Sequence, residues 1–238
     1  MARLGRFFIE GQALHVIQRG NNRQPVFFVE DDYANYRQWL IAAAADNGLS
    51  VHAHVFMTNH IHLLVTPETA ESLPRTMQSL GRRYVRHINT RDGRSGTLWE
   101  GRYRAAPIDS EEYFIACCRY IERNPVRARM VAHPRQYRWS SYRAHGEGAD
   151  DALALFHNAF RRLGRSVEER HAAYRALIRE KLDPAFVEAL RAATNGGWAL
   201  GGERFRKEIE AAAERRATPL PPGPRPKLAK IARQMRLL

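Results

Sequence analysis

The chain is short of three things. Cysteine occurs only twice in 238 residues, and Cys117 and Cys118 are neighbours. Adjacent thiols make neither a disulfide framework nor a CxxC pair, so a reducing compartment is expected and a thiolate zinc site is excluded. Any metal falls to His, Asn, Asp or Glu. Long apolar runs are also missing, since none approaches the ~20 residues of a membrane-spanning helix. Near the start, Arg3 and Arg6 bracket no apolar stretch of the ~7–15 residues a signal peptide requires, because Phe7-Phe8-Ile9 meets Glu10 at once. Acid is scarce as well: 25 Asp and Glu stand against 38 Lys and Arg, for a net charge of +13 and a pI near 10.4. With 44% hydrophobic and 10% aromatic residues, a core is possible and wholesale disorder is not expected. The plain reading of such a balance is a solvated basic surface. The sharper one is a folded protein, cytoplasmic and nucleoid-associated, whose partner is a polyanion.

The length suits one large domain, or one domain with an appendage, and no internal repeat is visible. Residues 14–19 alternate as a strand and end at the turn cluster Gly20-Asn21-Asn22. Residues 26–29 form a second short β candidate. A helix opens at Asp31-Asp32, carries Tyr33, Tyr36, Trp39, Leu40 and Ala43 on helical spacing, and stops near Asn47-Gly48. Residues 49–57 and 60–66 are β candidates joined by Thr58-Asn59, with Pro67 ending the second. A helix over 73–89 has Met77, Leu80, Tyr84 and Ile88 on one stripe, with Arg75, Arg82, Arg83 and Arg86 mostly off it. Residues 98–104 read as a strand. Ser110-Glu111-Glu112 reads as a capped helix start, and Pro125 should end or kink that helix near Asn124. The order β-β-α-β-β-α-β-α predicts an α+β fold. The character changes after about residue 148. Residues 1–145 are expected to be one domain, 150–214 a helical C-terminal region and 215–238 a basic, Pro-rich tail, extended in the free protein.

The chemistry concentrates in residues 51–65, VHAHVFMTNHIHLLV. A strand has a side-chain period of two, so His60 and His62 share a face and can chelate one divalent cation. If Thr58-Asn59 is a two-residue turn, His60 lies opposite Met57 and His62 opposite Val55, with His52 and His54 turned to the other side. A one-residue slip reverses this. An HxH pair alone is more often two satisfied or surface histidines. Tyr120 and Asn124 stand at i and i+4 on one helix face, placing an amide oxygen beside a phenol. The bland alternative is a packing Tyr and an Asn that precedes Pro.

Taken together, these segments resemble a known family. Asn59-His60-Ile61-His62-Leu63-Leu64 resembles the HUH motif of single-tyrosine transposases, and Tyr120-Ile121-Glu122-Arg123-Asn124-Pro125 resembles their nucleophile helix. Residues 15–23 (HVIQRGNNR), 98–102 (LWEGR) and 197–201 (GWALG) are similar to the REP-associated branch of that family. The resemblance implies a central antiparallel sheet flanked by helices, the ferredoxin-like HUH nuclease fold, here with a helical C-terminal extension. It also implies a metal-dependent enzyme that nicks and rejoins single-stranded DNA at hairpin-forming, REP-like repeats through a covalent 5′-phosphotyrosine. Carried over residue by residue, Tyr120 would be the nucleophile, and His60, His62 and Asn124 would hold Mg²⁺ or Mn²⁺. Where the family uses Gln at the last of these positions, this chain has the shorter Asn. The resemblance implies a monomer or a homodimer, and the lack of a long apolar run implies no membrane partner.

Arg75, Arg82, Arg83, Arg86, Arg102 and Arg104 are candidate phosphate contacts, with a solvated helix face as the plain reading of the α-helical ones. Pro224-Arg225-Pro226-Lys227 faintly resembles a minor-groove arm. Two other functions are weighed: a DNA-binding regulator of the same fold that does not cut, and a metal-dependent RNA nuclease that uses water. Retention of Tyr120, His60, His62 and Asn124 speaks against the first, and survival of activity without Tyr120 would mark the second.

Overall fold

The computed structural model describes residue 7, residues 9–110 and residues 112–219. At its centre is an antiparallel sheet in the order β2-β3-β1-β4, built from β1 (Leu14–Arg19), β2 (Leu49–Met57), β3 (His60–Pro67) and β4 (Arg104–Pro107). Helix α1 (Glu30–Asp46) connects β1 to β2, and α2 (Ser72–Arg91) connects β3 to β4. This is the ferredoxin-like βαββαβ unit.

The β2–β3 hairpin has the predicted register, with Met57 opposite His60 and Val55 opposite His62. His54 accordingly falls on the other face. His52 does not follow it, because the register shifts between Val51 and Ala53. That bulge turns His52 toward Thr66 Oγ1, 2.9 Å away, and toward the ring of Phe114. A bulge re-aims a side chain in this way.

Helices α1 and α2 cover the face that carries Phe56. Tyr36 of α1 meets the Phe56 ring edge-on at 5.3 Å and Tyr84 of α2 at 4.9 Å. The face carrying His60 and His62 is covered by α3 (Phe114–Glu122), α4 (Asn124–Arg127) and, from the C-terminal region, α8 (Pro184–Gly196). The remaining helices are α5 (Tyr142–Glu147), α6 (Asn158–Arg161), α7 (Val167–Arg179) and α9 (Glu203–Ala213).

A buried carboxylate locks α3 in place. Glu122 accepts hydrogen bonds from Ser141 Oγ, from His145 Nδ1 and from Tyr174 OH, each at 2.6 Å. A buried polar group is tolerable when so fully bonded, and this network ties α3 to α5 and α7. The main core runs without a break from the sheet to Phe160, Tyr174, Leu190 and Leu200. The backbone of Leu200 donates to Pro107 O and accepts from Asp109 N, so the C-terminal region is stitched to the end of β4.

Three local expectations are overturned. Residues 26–29 are not a strand. Val26 and Phe27 both donate to Thr58 O, and Phe28 and Val29 donate to Asp32 Oδ2, so the segment closes the N-terminus of α1 instead. Residues 98–104 are not a continuous strand either, because Gly101, at φ +73°, makes a tight turn that donates to Trp99 O. The ladder therefore starts only at Arg104. Ser110 does not open α3, which begins at Phe114, with Tyr113 N donating to Asp109 O one turn earlier; Glu111 is outside the described residues. Pro125 does act as expected. It sits in the first turn of α4, directly after the chain leaves α3 at Arg123. Of the expected tail, residues 220–238 lie outside the described residues, and with them the Pro224–Lys227 arm. Arg215 is placed, lying over the ring of Phe7.

Candidate active site

Alternation along β3 brings His60 and His62 to one face, their ring centroids 5.1 Å apart. The antiparallel partner β1 sets His15 beside them, with its Nε2 2.9 Å from His62 Nδ1 and the two rings stacked. Across from the strands, α3 projects Tyr120 so that its ring stands edge-on to both His62 (5.7 Å) and His15 (5.8 Å). Asn124 follows one turn later, its Nδ2 donating to Tyr120 O at 2.9 Å. These residues line a cavity of about 450 Å³ together with Ile17, Arg19, Met57, Arg127, Arg191, Thr194 and Asn195. The structure thus brings together all four predicted residues, Tyr120, His60, His62 and Asn124.

Cations surround the phenol. The Arg127 guanidinium lies 4.4 Å from the Tyr120 ring centroid and donates to Asn124 Oδ1. Arg191 Nε approaches the phenol oxygen at 3.5 Å, and Arg19 lies at the cavity wall. Such a cluster attracts a phosphate and offsets its charge.

The same surroundings keep the imidazoles neutral. Burial, aided by Arg127, pushes the His15 pKa down to about 3. Burial, with Arg19 and Arg127, pushes His60 down to about 4. His62 is held well below its ordinary value by burial and by its two histidine neighbours. A neutral imidazole is the form that ligates metal.

The donor set fits a divalent cation. Asn59 Nδ2 donates to Arg23 O, which turns its Oδ1 toward His60 Nδ1 at 2.6 Å. An amide oxygen only accepts, so His60 carries its proton on Nδ1 and leaves Nε2 bare. His62 has Nδ1 engaged with His15, so its Nε2 is likewise the nitrogen open to a ligand. Asn124 Oδ1 accepts from Arg127 but keeps a second lone pair. Among the described residues no group of three His, Cys, Asp or Glu side chains is placed to hold an ion; Asn124 Oδ1, on the wall of the same cavity, is the candidate third protein ligand.

The predicted arginines divide by position. Arg104 donates to Asn195 Oδ1 at 2.8 Å, and with Arg102 and Arg19 it lines a small recess beside the main cavity. Arg75 and Arg102 line a groove that also includes Gln18 and Tyr103. Arg82, Arg83 and Arg86 are exposed on α2, in the layer over the opposite sheet face, where Arg83 stacks on Trp39. The structure does not bring them to the cavity.

Sequence reasoning assigned no site role to six polar lining residues: His15, Arg19, Arg127, Arg191, Thr194 and Asn195. Arg127 had a signal, at i+3 from Asn124 and i+7 from Tyr120. His15 sits in the strand period of β1. Nothing local marks the α8 residues.

Comparison with known proteins bears on the fold and the segment that carries this cluster. Residues 9–124 match the family model for IS200-like transposases. A solved structure of a REP-associated tyrosine transposase bound to a REP hairpin aligns with a TM-score of 0.54 at 16% identity, over 66% of this chain and 93% of that one. At that identity the likeness speaks for the fold. A protein from Deinococcus radiodurans, provisionally assigned as a transposase, is 23% identical over 48% of this chain and 91% of its own, with a TM-score of 0.36. No curated protein sequence matches the chain. The matched segment contains β1–β4 and the Tyr120, His60, His62 and Asn124 cluster, and over residues 9–124 the chain is similar to the IS200-like transposases.

Proposed function

We propose that this protein is a transposase, a metal-dependent single-strand DNA endonuclease that nicks and rejoins hairpin-forming, REP-like repeats through a covalent 5′-phosphotyrosine at Tyr120. One observation carries the reading: a helix-borne phenol stands edge-on to His62 and one helical turn from Asn124, in a cavity lined with arginines.

His60 Nε2, His62 Nε2 and Asn124 Oδ1 are the groups that would hold Mg²⁺ or Mn²⁺. Bound there, the ion would act as a Lewis acid toward a phosphate oxygen. The rest falls to the chain. Arg19, Arg127 and Arg191 draw the scissile phosphate into the cavity, and packing against His15 and His62 fixes the direction of the Tyr120 hydroxyl. Attack forms the P–O bond to Tyr120 and breaks the bond from phosphorus to the 3′ oxygen. The phenol loses its proton, and a proton ends on the departing 3′ hydroxyl. The ester keeps the energy of the broken bond, so a DNA 3′ hydroxyl reverses the step without ATP. Arg102 and Arg104, beside the cavity, are proposed to hold the backbone of the single strand. Arg75, Arg82, Arg83 and Arg86 are proposed to meet more distant phosphates of the hairpin. The hairpin bound to the REP-associated relative supports the choice of substrate.

The test is a denaturing gel of the purified protein with labelled, hairpin-bearing single-stranded DNA and Mn²⁺, with and without chelator. The expected result is a metal-dependent protein–DNA adduct that Tyr120→Phe lacks. An adduct that persists in Tyr120→Phe would sink the assignment of the nucleophile. Binding without adduct or cut would make the protein a non-cleaving regulator. Cutting without an adduct, on DNA or RNA, would make it a water-using nuclease.

A further inference from the structure

We infer that Thr194 of α8, acting through His15, fixes the tautomer of His62 and so presents the bare Nε2 of that residue to the cation. The inference rests on the metal-dependent reading above and names the two positioning residues behind it.

The argument is a count of protons along one buried chain. Thr194 Oγ1 donates to Leu190 O at 2.8 Å, the usual back-bond of a threonine to the carbonyl four residues earlier in a helix. A hydroxyl has one proton, so toward His15 Nδ1, 2.7 Å away, the Thr194 oxygen accepts. His15 must therefore donate from Nδ1. With its single ring proton placed there, its Nε2 is a lone pair. His62 Nδ1, 2.9 Å from that nitrogen, must then be the donor, and His62 is left with Nε2 unprotonated. Each member is nearly inaccessible to water: His15 is 1%, Thr194 2% and His62 3% exposed. Solvent cannot readily substitute for a missing partner.

Reversing the relay has a definite consequence. Were Thr194 to donate to His15 Nδ1, the His15 proton would move to Nε2 and His62 would be forced to carry its own proton on Nε2. That form cannot ligate. The Leu190 carbonyl therefore selects between a ligating and a closed His62, through three hydrogen bonds in series. Partners behind a metal-binding histidine commonly set its orientation and tautomer. Here the outermost partner comes from residue 194, well beyond the segment matched to the transposase family.

Two readouts test this, and neither is turnover. The first is long-range ¹H–¹⁵N correlation of the histidine rings in metal-free, ¹⁵N-labelled full-length protein. The expected pattern is Nδ1–H with bare Nε2 for both His15 and His62 in the wild type. In Thr194→Val a growing Nε2–H population should appear at His62, and Thr194→Ser should restore the wild-type pattern. The second is Mn²⁺ affinity by electron paramagnetic resonance. Thr194→Val should bind about tenfold more weakly, within the range usual for such partners, and Thr194→Ser near wild type. Thermal unfolding in chelator confirms that the variants are folded. A wild-type His62 protonated on Nε2 overturns the inference without needing any variant. So does a folded Thr194→Val with unchanged tautomers and an affinity within twofold. A wild type with the expected tautomers that binds no Mn²⁺ overturns the metal-dependent function instead, while the relay itself is upheld.

Discussion

Strand β3 turns Ile61, Leu63 and Val65 to one side of the sheet and His60 and His62 to the other. Exposure does not separate the two sides, since Leu63 is 0% and His62 3% exposed. What differs is how each side satisfies its atoms. Behind Leu63, Phe56, Tyr36, Tyr84 and Phe27 interlock as rings 4.9–6.1 Å apart, a packing that is largely non-directional. Behind His62, nearly every buried polar atom is matched to a named partner. The alternation of one strand thus separates a face that holds the fold from a face that carries the proposed chemistry, and the second is recognised by its bonds rather than by its accessibility.

The two faces should fail differently. On the chemical face, Tyr120→Phe removes one oxygen that Arg191 Nε approaches at 3.5 Å and that also interacts with Arg127. With Tyr120 as the proposed nucleophile, adduct formation should drop by at least about 10³-fold, while the melting temperature stays within about 2 °C of wild type. On the structural face, Leu63→Ala leaves a cavity and should cost about 2–5 kcal/mol of stability. The fraction that stays folded should keep its Mn²⁺ affinity. Urea unfolding and Mn²⁺ titration of the two variants, side by side, would show the crossover. A Leu63→Ala protein that is stable but cannot bind Mn²⁺ would break the distinction.

Much of this was legible in the sequence, for a physical reason. The Thr58-Asn59 turn fixed the hairpin register, and register fixes which side chains share a face, so His60, His62, Met57 and Val55 could be placed in advance. The helical period did the same for Tyr120 and Asn124. Prediction failed where long-range bonds override local pattern. Residues 26–29 are rich in β formers, but their amides are taken by Thr58 and Asp32. His52 escaped the alternation through a bulge that no residue type announces. Thr194 and Arg191 lie about 130 residues beyond His62, and only the packing of α8 over β1 brings them to the site.

Acid should expose a weakness shared by both faces. His54, on the side of Phe56, is held down to about 4 by burial against the opposing pull of Asp151, whose carboxylate is 3.8 Å from its Nε2. Between pH 6.5 and 4 the unfolded chain therefore binds a proton that the folded protein refuses. Stability is full above pH 6.5 and declines as pH falls toward 4. Replacing His54 with Gln removes this share of the decline. The drop in melting temperature between pH 7 and pH 5 should shrink by about 2–5 °C, measured in chelator so that the histidines of the other face contribute equally to both proteins. An unchanged pH profile would mean that His54 already titrates normally in the fold.

The smallest expected effect bears most directly on the division of labour. Arg82 and Arg86 are exposed on α2, over the structural face, whereas Arg102 and Arg104 border the recess beside the active site. Binding of hairpin DNA to the Tyr120→Phe protein, which lacks the proposed nucleophile, isolates affinity from cleavage. Each lost phosphate contact should lower the slope of log affinity against log salt by about 0.7–0.9. If the single strand runs along the recess, Arg102→Gln with Arg104→Gln should weaken binding about tenfold and flatten that slope by one to two. Arg82→Gln with Arg86→Gln should cost about threefold or less, and only when the DNA carries its paired stem. An equal loss from both pairs on stemless DNA would carry the binding path across α2. The layer that packs the aromatic core would then also be part of the DNA surface, because helix α2 can bury Tyr84 and Ile88 on one side while offering its arginines on the other.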